Sequence, residues 1–97
     1  MKKMALVTSK EMLTKARKGG YAVGAFNAEN MEMVKAIIAA AEELKAPVMI
    51  QTTPSTVKYG TSATYAAIVK AEAEKASVPV CRHLDHGSSY ELAEECI

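Results

Sequence analysis

The stretch VPVCRHLDHG, residues Val78–Gly87, combines a predicted strand with the polar residues that follow it. Val78–Leu84 is short and mostly apolar, which is typical of a β-strand. Ser88 and Glu91 come next at the spacing of a capping box, a pattern that satisfies free backbone amides at the start of a helix. A strand followed directly by a helix is the βα unit from which parallel sheets are built.

The same unit occurs twice upstream. Tyr21–Phe26 is short, apolar and bounded by Gly and Asn, which predicts a buried strand. Apolar residues at helical spacing predict a helix from about Glu29 to Lys45, and Val48–Ile50 predicts the second strand. Thr52–Ser55 is predicted to be a polar loop, and a third helix is predicted over roughly Thr61–Ala76.

A further helix precedes the first strand. Thr8 and Glu11 have capping-box spacing, and Gly19–Gly20 ends the helical pattern that runs from Thr8 to Lys18. The order is therefore a helix and then a strand and a helix three times, which predicts parallel strands with right-handed crossovers. Two α/β architectures fit this order: part of a (β/α)8 barrel, or a small doubly wound sheet.

Composition excludes several classes of protein. Of the 97 residues 49% are hydrophobic and 24% are charged, and twelve Lys and Arg nearly balance eleven Asp and Glu. A globular chain with no nucleic-acid partner is expected from these values. No apolar run approaches the roughly 20 residues needed to span a bilayer. The apolar start turns polar at Thr8, too soon for a signal peptide.

The two cysteines, Cys81 and Cys96, have no metal-binding or redox spacing. We expect them to be small buried side chains. Two thiols that form no framework favour a reducing compartment, so a cytoplasmic location is expected, without a membrane partner.

Polar residues follow each predicted strand, at the edge where both architectures gather their chemistry. These are Asn27, then Thr52–Thr53, then Asp85 with His86. Because strand side chains alternate, His83 and Asp85 share one face. An imidazole beside a carboxylate suits metal binding with adjacent acid/base chemistry. The alternative is an Asp that caps the next helix, with two ordinary histidines.

The other strand ends also allow two interpretations. The hydroxyls of Thr52–Ser55 suit a phosphate or a sugar, but they are also typical of a plain turn before a helix. Asn27 could bind a ligand or cap the helix that follows it. The glycines form neither a dinucleotide-binding fingerprint nor a P-loop.

Three motifs, in order along the chain, carry a family resemblance. Gly19–Asn27, Ala46–Ser55 and Val78–Ser89 resemble the first three strand regions of class II, metal-dependent fructose-bisphosphate aldolases, including the tagatose-bisphosphate aldolase branch. The resemblance implies a (β/α)8 barrel, a homo-oligomer, and a divalent metal, commonly zinc. It also implies reversible cleavage of a ketose 1,6-bisphosphate, from fructose or tagatose, to dihydroxyacetone phosphate and glyceraldehyde 3-phosphate.

The resemblance also implies roles for individual residues. His86 matches a zinc ligand, and Asp85 matches the acid/base that exchanges a proton with the substrate hydroxyl. Asn27 and Thr53 match positions that face the substrate. His83 belongs to the same motif but is not expected to be a ligand. A Schiff-base lysine is the chemistry of a different aldolase class, for which Lys58 is the candidate that stays open.

Two features depart from the family. Arg82 replaces a residue that is usually small or aliphatic; we expect it to point toward the helices and to pair with a Glu there, or the strand to be more exposed. The second departure is length, because such a barrel needs roughly 250 residues.

Residues 1–97 are therefore expected to be the N-terminal portion of a single aldolase barrel domain, truncated within the third βα helix. This chain alone is expected to be inactive, since a catalytic zinc takes about three protein ligands. The alternatives are a small doubly wound binding domain and an associating, non-catalytic barrel fragment.

Overall fold

The computed structural model describes residues 6–96 and shows a parallel three-stranded sheet with helices packed on it. Predictions that concern Met1–Ala5, or a chain end inside a helix at Ile97, lie outside the described residues. No helix within residues 6–96 is long and apolar enough to cross a membrane. The elements are α1 (Ser9–Gly19), β1 (Gly24–Asn27), α2 (Met31–Leu44), β2 (Val48–Thr52), α3 (Pro54–Gly60), α4 (Ser62–Glu74), β3 (Val80–Leu84) and α5 (Tyr90–Glu95).

The strands lie side by side in the order in which they occur in the chain. β1 pairs in parallel with β2, and β2 pairs in parallel with β3. Gly24 lies opposite Val48, which in turn lies opposite Val80. The crossover helices α2 and α4 contact each other, and they contact β2 and β3 respectively. The predicted parallel α/β sheet is confirmed.

The two faces of the sheet have different neighbours. Val48, Ile50 and Val80 point toward the crossover helices and lie in the main hydrophobic core. Met49 and Cys81 point to the opposite face, where they form a smaller buried cluster with Met12 of α1. The buried residues of the main core are Ala28, Val34, Ile38, Ala41, Val48, Ile50, Val69, Ala73, Ala76, Val78 and Val80.

Helix α1 begins and ends as its sequence predicts. Thr8 Oγ1 accepts a hydrogen bond from the backbone N–H of Glu11 at 3.2 Å. Gly20 ends the helix with φ of 72°, in the left-handed region that favours glycine. The prediction that Ser88 opens the last helix is wrong by one residue, because Ser89 caps α5 through the N–H of Leu92.

Helix α3 replaces the polar loop predicted over Thr52–Ser55. Pro54 occupies the first turn, where its fixed φ suits a helix and its missing N–H costs nothing. Thr56 and Val57 are buried on the inner side of the helix. The loop prediction was wrong for Pro54 and Ser55, which form the first turn of this seven-residue helix; the buried Val57 lies outside the predicted loop.

Strand β1 is exposed, whereas Tyr21–Phe26 was predicted to be a buried strand. All four residues of β1 are exposed, and Phe26 retains 52% of its accessible surface. β1 lies at the edge of the sheet and has β2 as its only described neighbouring strand. The apolar pattern correctly indicated a strand, but burial depends on neighbours that residues 6–96 do not provide.

A group of hydrogen bonds at the edge of the core ties α2 to the residues just before β3. The carboxylate of Glu42 accepts hydrogen bonds from the N–H and the hydroxyl of Ser77, and from the N–H of Val78 at 3.2 Å. These donors sit at the amino-terminal end of the strand, away from the polar residues at its other end. The contact therefore supports the sheet and not the candidate site.

Candidate active site

The predicted site residues lie at the carboxyl-terminal edge of the sheet. The sheet register places Asn27 opposite Gln51 and Gln51 opposite His83, so one row of side chains crosses all three strands. The backbone N–H of Asp85 donates to the carbonyl of Thr52 at 2.8 Å, which continues the pairing one step beyond β3. Asn27 and Asp85, 58 positions apart in the chain, are thereby brought to neighbouring strand ends.

Gln51 connects these two side chains. Its Nε2 donates to Asn27 Oδ1 at 2.6 Å and to Asp85 Oδ2 at 3.3 Å. We call Asn27, Gln51 and Asp85 the strand-end network. The sequence analysis assigned no role to Gln51. The available signal was its position: it is a polar residue in an apolar strand, two residues after Met49, and so on the same face as Met49.

Asp85 is the centre of the charged part of the site. Its side chain is 35% exposed, and its Oδ1 also accepts a hydrogen bond from the N–H of His86 at 3.1 Å. The two imidazoles lie slightly farther away. His83 Nε2 is 3.9 Å from Oδ1, and His86 Nε2 is 3.7 Å from Oδ2. A carboxylate held by an amide and a backbone N–H, with imidazoles nearby, can accept and return a proton.

His86 lies in a left-handed turn just after the end of β3. His86 has φ of 67°, Gly87 has φ of 38°, and the N–H of Gly87 donates to the carbonyl of Asp85 at 2.8 Å. A residue other than glycine in this region costs about 1 kcal/mol, and such conformations cluster at functional sites. The turn leaves the His86 side chain 74% exposed.

Thr53 lies at the end of β2 but outside the strand-end network. It is the N-cap residue of α3, although its side chain makes no capping hydrogen bond. Its Oγ1 instead lies 3.1 Å from Ser55 Oγ and 3.0 Å from Thr56 Oγ1. Thr52 points toward the crossover helices and is buried, so only Thr53 of this pair is available at the strand end.

The alternative roles considered for Asn27 and Lys58 receive no support from the structure. Asn30, not Asn27, caps α2: its Oδ1 accepts from the N–H of Met33 at 2.8 Å. Lys58 lies on α3, exposed, and lines a separate cleft with Ser88 and residues of α5.

The donor set tests whether a metal would fit here. Imidazole nitrogen is a good zinc ligand, and no described hydrogen bond uses the imidazole of His86. Within residues 6–96, no group of three or more His, Cys, Asp or Glu side chains could hold a metal ion. These residues therefore offer one well-exposed imidazole beside a carboxylate, which is fewer groups than a catalytic zinc ion takes from a protein.

Both cysteines are free thiols, and the prediction that both are buried is confirmed for Cys81 but wrong for Cys96. Cys81 lies beneath the site, packed with Met12 and Met49, and this burial raises the pKa of its thiol. Cys96 is only half-buried. A buried thiol with a raised pKa is a poor nucleophile, so Cys81 is a packing residue.

Arg82 points to the helix side, as its place in the strand predicts. Its partner is not a glutamate: Nη2 donates to the backbone carbonyl of Cys96 at 3.1 Å, at the end of α5. The final carbonyls of a helix carry partial negative charge, which suits a guanidinium. The half-buried Arg82 therefore ties α5 to the strand that carries His83.

Known proteins match this chain along nearly its whole length. Residues 7–97 match the family described as fructose-bisphosphate aldolase class-II. The fructose-bisphosphate aldolase of Thermus caldophilus is 55% identical over 86 residues, which are 89% of this chain and 28% of that protein. That of Geobacillus stearothermophilus is 46% identical over 97 residues, 97% of this chain and 34% of that protein. The chain thus spans about a third of the length of these curated relatives.

A solved structure shares the fold. The crystal structure of the YdjI aldolase from Escherichia coli K12 superposes with a TM-score of 0.82 at 35% sequence identity. The match covers 92% of this chain and 35% of that structure. The parallel sheet and its helices fit the predicted first three βα units of a (β/α)8 barrel. This chain belongs to the class II fructose-bisphosphate aldolase family.

Proposed function

We propose that residues 1–97 are the N-terminal portion of a single class II aldolase barrel domain, and that this portion ends within the third βα helix of the domain. The whole protein would reversibly cleave a ketose 1,6-bisphosphate to dihydroxyacetone phosphate and glyceraldehyde 3-phosphate. The observation that carries the proposal is the strand-end network, which joins Asn27 and Asp85 through Gln51 at the edge where barrel enzymes hold their substrates. Fructose bisphosphate is the first candidate substrate, because the matching relatives are named fructose-bisphosphate aldolases. Tagatose bisphosphate, which differs at one stereocentre, is the second.

Asp85 is the proposed acid/base. During cleavage, its carboxylate accepts the proton of the substrate hydroxyl next to the breaking carbon–carbon bond, and in condensation it returns that proton. The hydrogen bonds from Gln51 and from the N–H of His86 fix the direction of its oxygens. A pre-oriented base avoids the reorganisation that a free side chain would need.

His86 is the proposed metal ligand. The family is generally dependent on a divalent metal, and zinc is the metal that we propose here. When bound, such an ion stabilises negative charge that develops on the substrate oxygen next to the carbanion. The exposed imidazole of His86 would hold the ion with ligands from outside residues 6–96, while His83 flanks the carboxylate without being a ligand.

Asn27 and Thr53 are the proposed substrate contacts. Asn27 is exposed at the end of β1, and its amide is oriented by Gln51. Thr53 presents a hydroxyl from a group of three, with Ser55 and Thr56, at the end of the next strand. Both residue types hydrogen-bond hydroxyl and phosphate oxygens, so they suit the two kinds of polar group on a sugar bisphosphate.

The proposal also covers the activity of the isolated chain, the oligomeric state of the full-length protein and its location. The isolated residues 1–97 would be inactive, because they supply one metal ligand and about a third of a relative's length. The full-length protein would be a homo-oligomer and would act in the cytoplasm, where free thiols such as Cys81 persist.

The test is an Asp85→Asn substitution in the full-length protein. We expect kcat to fall by about a thousandfold or more with either bisphosphate, because the amide cannot accept the substrate proton. Glu91→Gln, an exposed carboxylate in the first turn of α5, is the matched control and should leave kcat unchanged. Metal content should be equal in both variants. Activity near wild type for Asp85→Asn would overturn the assignment.

A further inference from the structure

Tyr65 is a buried side chain whose single described hydrogen bond reaches the edge of the candidate site. It lies in α4 with 4% of its surface exposed, and its hydroxyl donates to the backbone carbonyl of Glu29 at 2.8 Å. Glu29 is in the loop between β1 and α2, two residues after Asn27. The tyrosine therefore connects a crossover helix to the backbone that carries a proposed substrate contact.

Gly60 fixes the place of the tyrosine ring. A Cβ atom at Gly60 would lie 2.6 Å from Cε2 of Tyr65 and 2.7 Å from its Cζ and hydroxyl oxygen. The ring is thus packed directly against the backbone at the end of α3. The absence of a side chain at Gly60 therefore leaves room for the ring at the place from which its hydroxyl donates to the carbonyl of Glu29.

The loop itself is anchored from two directions. On the strand side, the N–H of Ala28 donates to the carbonyl of Gln51 at 3.1 Å, and Ala28 is buried. From the side of α4, the hydroxyl of Tyr65 donates to the carbonyl of the next residue, Glu29. Asn27, immediately before these anchors, is exposed, and Gln51 is the only described side chain that bonds its amide.

We propose that Tyr65 is a positioning residue that holds the loop after β1 and thereby sets the amide of Asn27 for substrate binding. It acts through the loop and does not touch the substrate. This inference rests on the proposed aldolase function, in which Asn27 faces the sugar bisphosphate. Burial raises the pKa of the Tyr65 hydroxyl, and the nearby Glu29 and Tyr59 raise it by smaller amounts. The hydroxyl therefore stays protonated, and able to donate, throughout the neutral range.

A Tyr65→Phe substitution in the full-length protein removes only the hydroxyl. We expect KM for the bisphosphate to rise about fivefold with kcat changed less than about twofold, because a ground-state contact is loosened and the acid/base is untouched. Tyr59→Phe is the matched control: Tyr59 is 87% exposed, and its substitution should change neither parameter. Equal kinetics for the two variants would contradict the proposal.

A double-variant cycle separates positioning from general stability. In an Asn27→Ala background, Tyr65→Phe should produce no further rise in KM, because the side chain that it positions is gone. A stability effect alone would multiply the loss by the same factor in both backgrounds, and that result would overturn the inference.

Hydrogen exchange tests the loop contact without any activity. The amides of residues 28–30 should exchange several-fold faster in Tyr65→Phe than in Tyr59→Phe, at equal melting temperatures. If the full-length protein has no aldolase activity but the exchange is still faster in Tyr65→Phe, the role of Tyr65 in holding the loop is supported and only the proposed function is refuted. Unchanged exchange would refute the loop contact itself.

Gly60→Ala provides a second variant that keeps the hydroxyl. Alanine is a better helix former than glycine, so any loss would come from displacement of the Tyr65 ring. We expect the same rise in KM and the same faster exchange as in Tyr65→Phe. Wild-type values for both measurements would show that the ring position does not matter.

Discussion

The two faces of the same three strands do different work. The face toward α2 and α4 presents Val48, Ile50 and Val80, and these side chains are almost completely buried. The opposite face presents Gln51, directly after Ile50, and His83, three residues after Val80; both belong to the polar row at the carboxyl-terminal edge. Because strand side chains alternate, a protein can place stability and chemistry on adjacent residues with little interference.

The largest effect expected from this comparison is on the helix side. Ile50→Ala should lower the free energy of unfolding by about 3–4 kcal/mol, because Ile50 is 0% exposed and its truncation leaves a cavity in the main core. Chemical denaturation of the full-length protein measures this. The activity of the fraction that remains folded should stay within about twofold of wild type. A specific loss of kcat in folded Ile50→Ala protein would show that the two faces are coupled.

The adjacent residue should show the opposite behaviour. Gln51→Ala removes both contacts of the strand-end network, so we expect kcat/KM to fall about thirtyfold with less than about 1 kcal/mol lost from stability. Gln51→Glu keeps the size but places a carboxylate beside Asp85, and the repulsion should move the acidic limb of the pH–rate profile upward. Steady-state kinetics over a pH series measures both effects. An unchanged profile in Gln51→Glu would mean that Gln51 does not contact Asp85.

The edge of the helix side provides a third test. Glu42→Ala should cost about 2 kcal/mol of stability, because three donors from Ser77 and Val78 lose a charged acceptor. Its neighbour Glu43 is exposed, makes no described hydrogen bond or ion pair within residues 6–96, and provides the control. Thermal melting of Glu42→Ala and Glu43→Ala, compared at equal concentration, checks the difference. Equal melting temperatures would contradict it.

The sequence predicted the positions of the helices and strands better than it predicted which of them are buried. Local spacing was enough for α1, α2 and the three strands, because capping residues, glycines and apolar periodicity act within a few residues. It was not enough for β1, whose burial depends on strands beyond its neighbour. It also failed at Pro54 and Ser55, which were predicted to lie in a loop but begin α3, a helix in which Val57 is buried.

The candidate site was predictable in its types of residue but not in its connections. Asp85 and His86 stand out as a motif, whereas the role of Gln51 arises from partners 24 and 34 positions away. The left-handed conformation of His86, whose N–H donates to the Asp85 side chain, likewise had no counterpart in the predicted pattern. Tertiary contacts of this kind leave no periodic signal in a single sequence.

The smallest effect concerns the outer surface of the helix side, where Glu72 pairs with Lys35 of α2 at 3.1 Å and with Lys75 at 3.4 Å. The hydrogen bond from Lys35, more than the other contacts, lowers the pKa of Glu72 below its ordinary value of 4.5. A lowered folded-state pKa means that the stabilisation is fully present above the unfolded-state value and disappears as the pH falls through the folded-state value.

Glu72→Gln should therefore be slightly less stable than wild type at neutral pH, and the difference should vanish in acid. Salt should weaken it too, since these lysines are largely exposed. Melting temperatures of both proteins over a pH series test this, and a difference that persists in acid would show that Glu72 stabilises the helices by packing and not by charge.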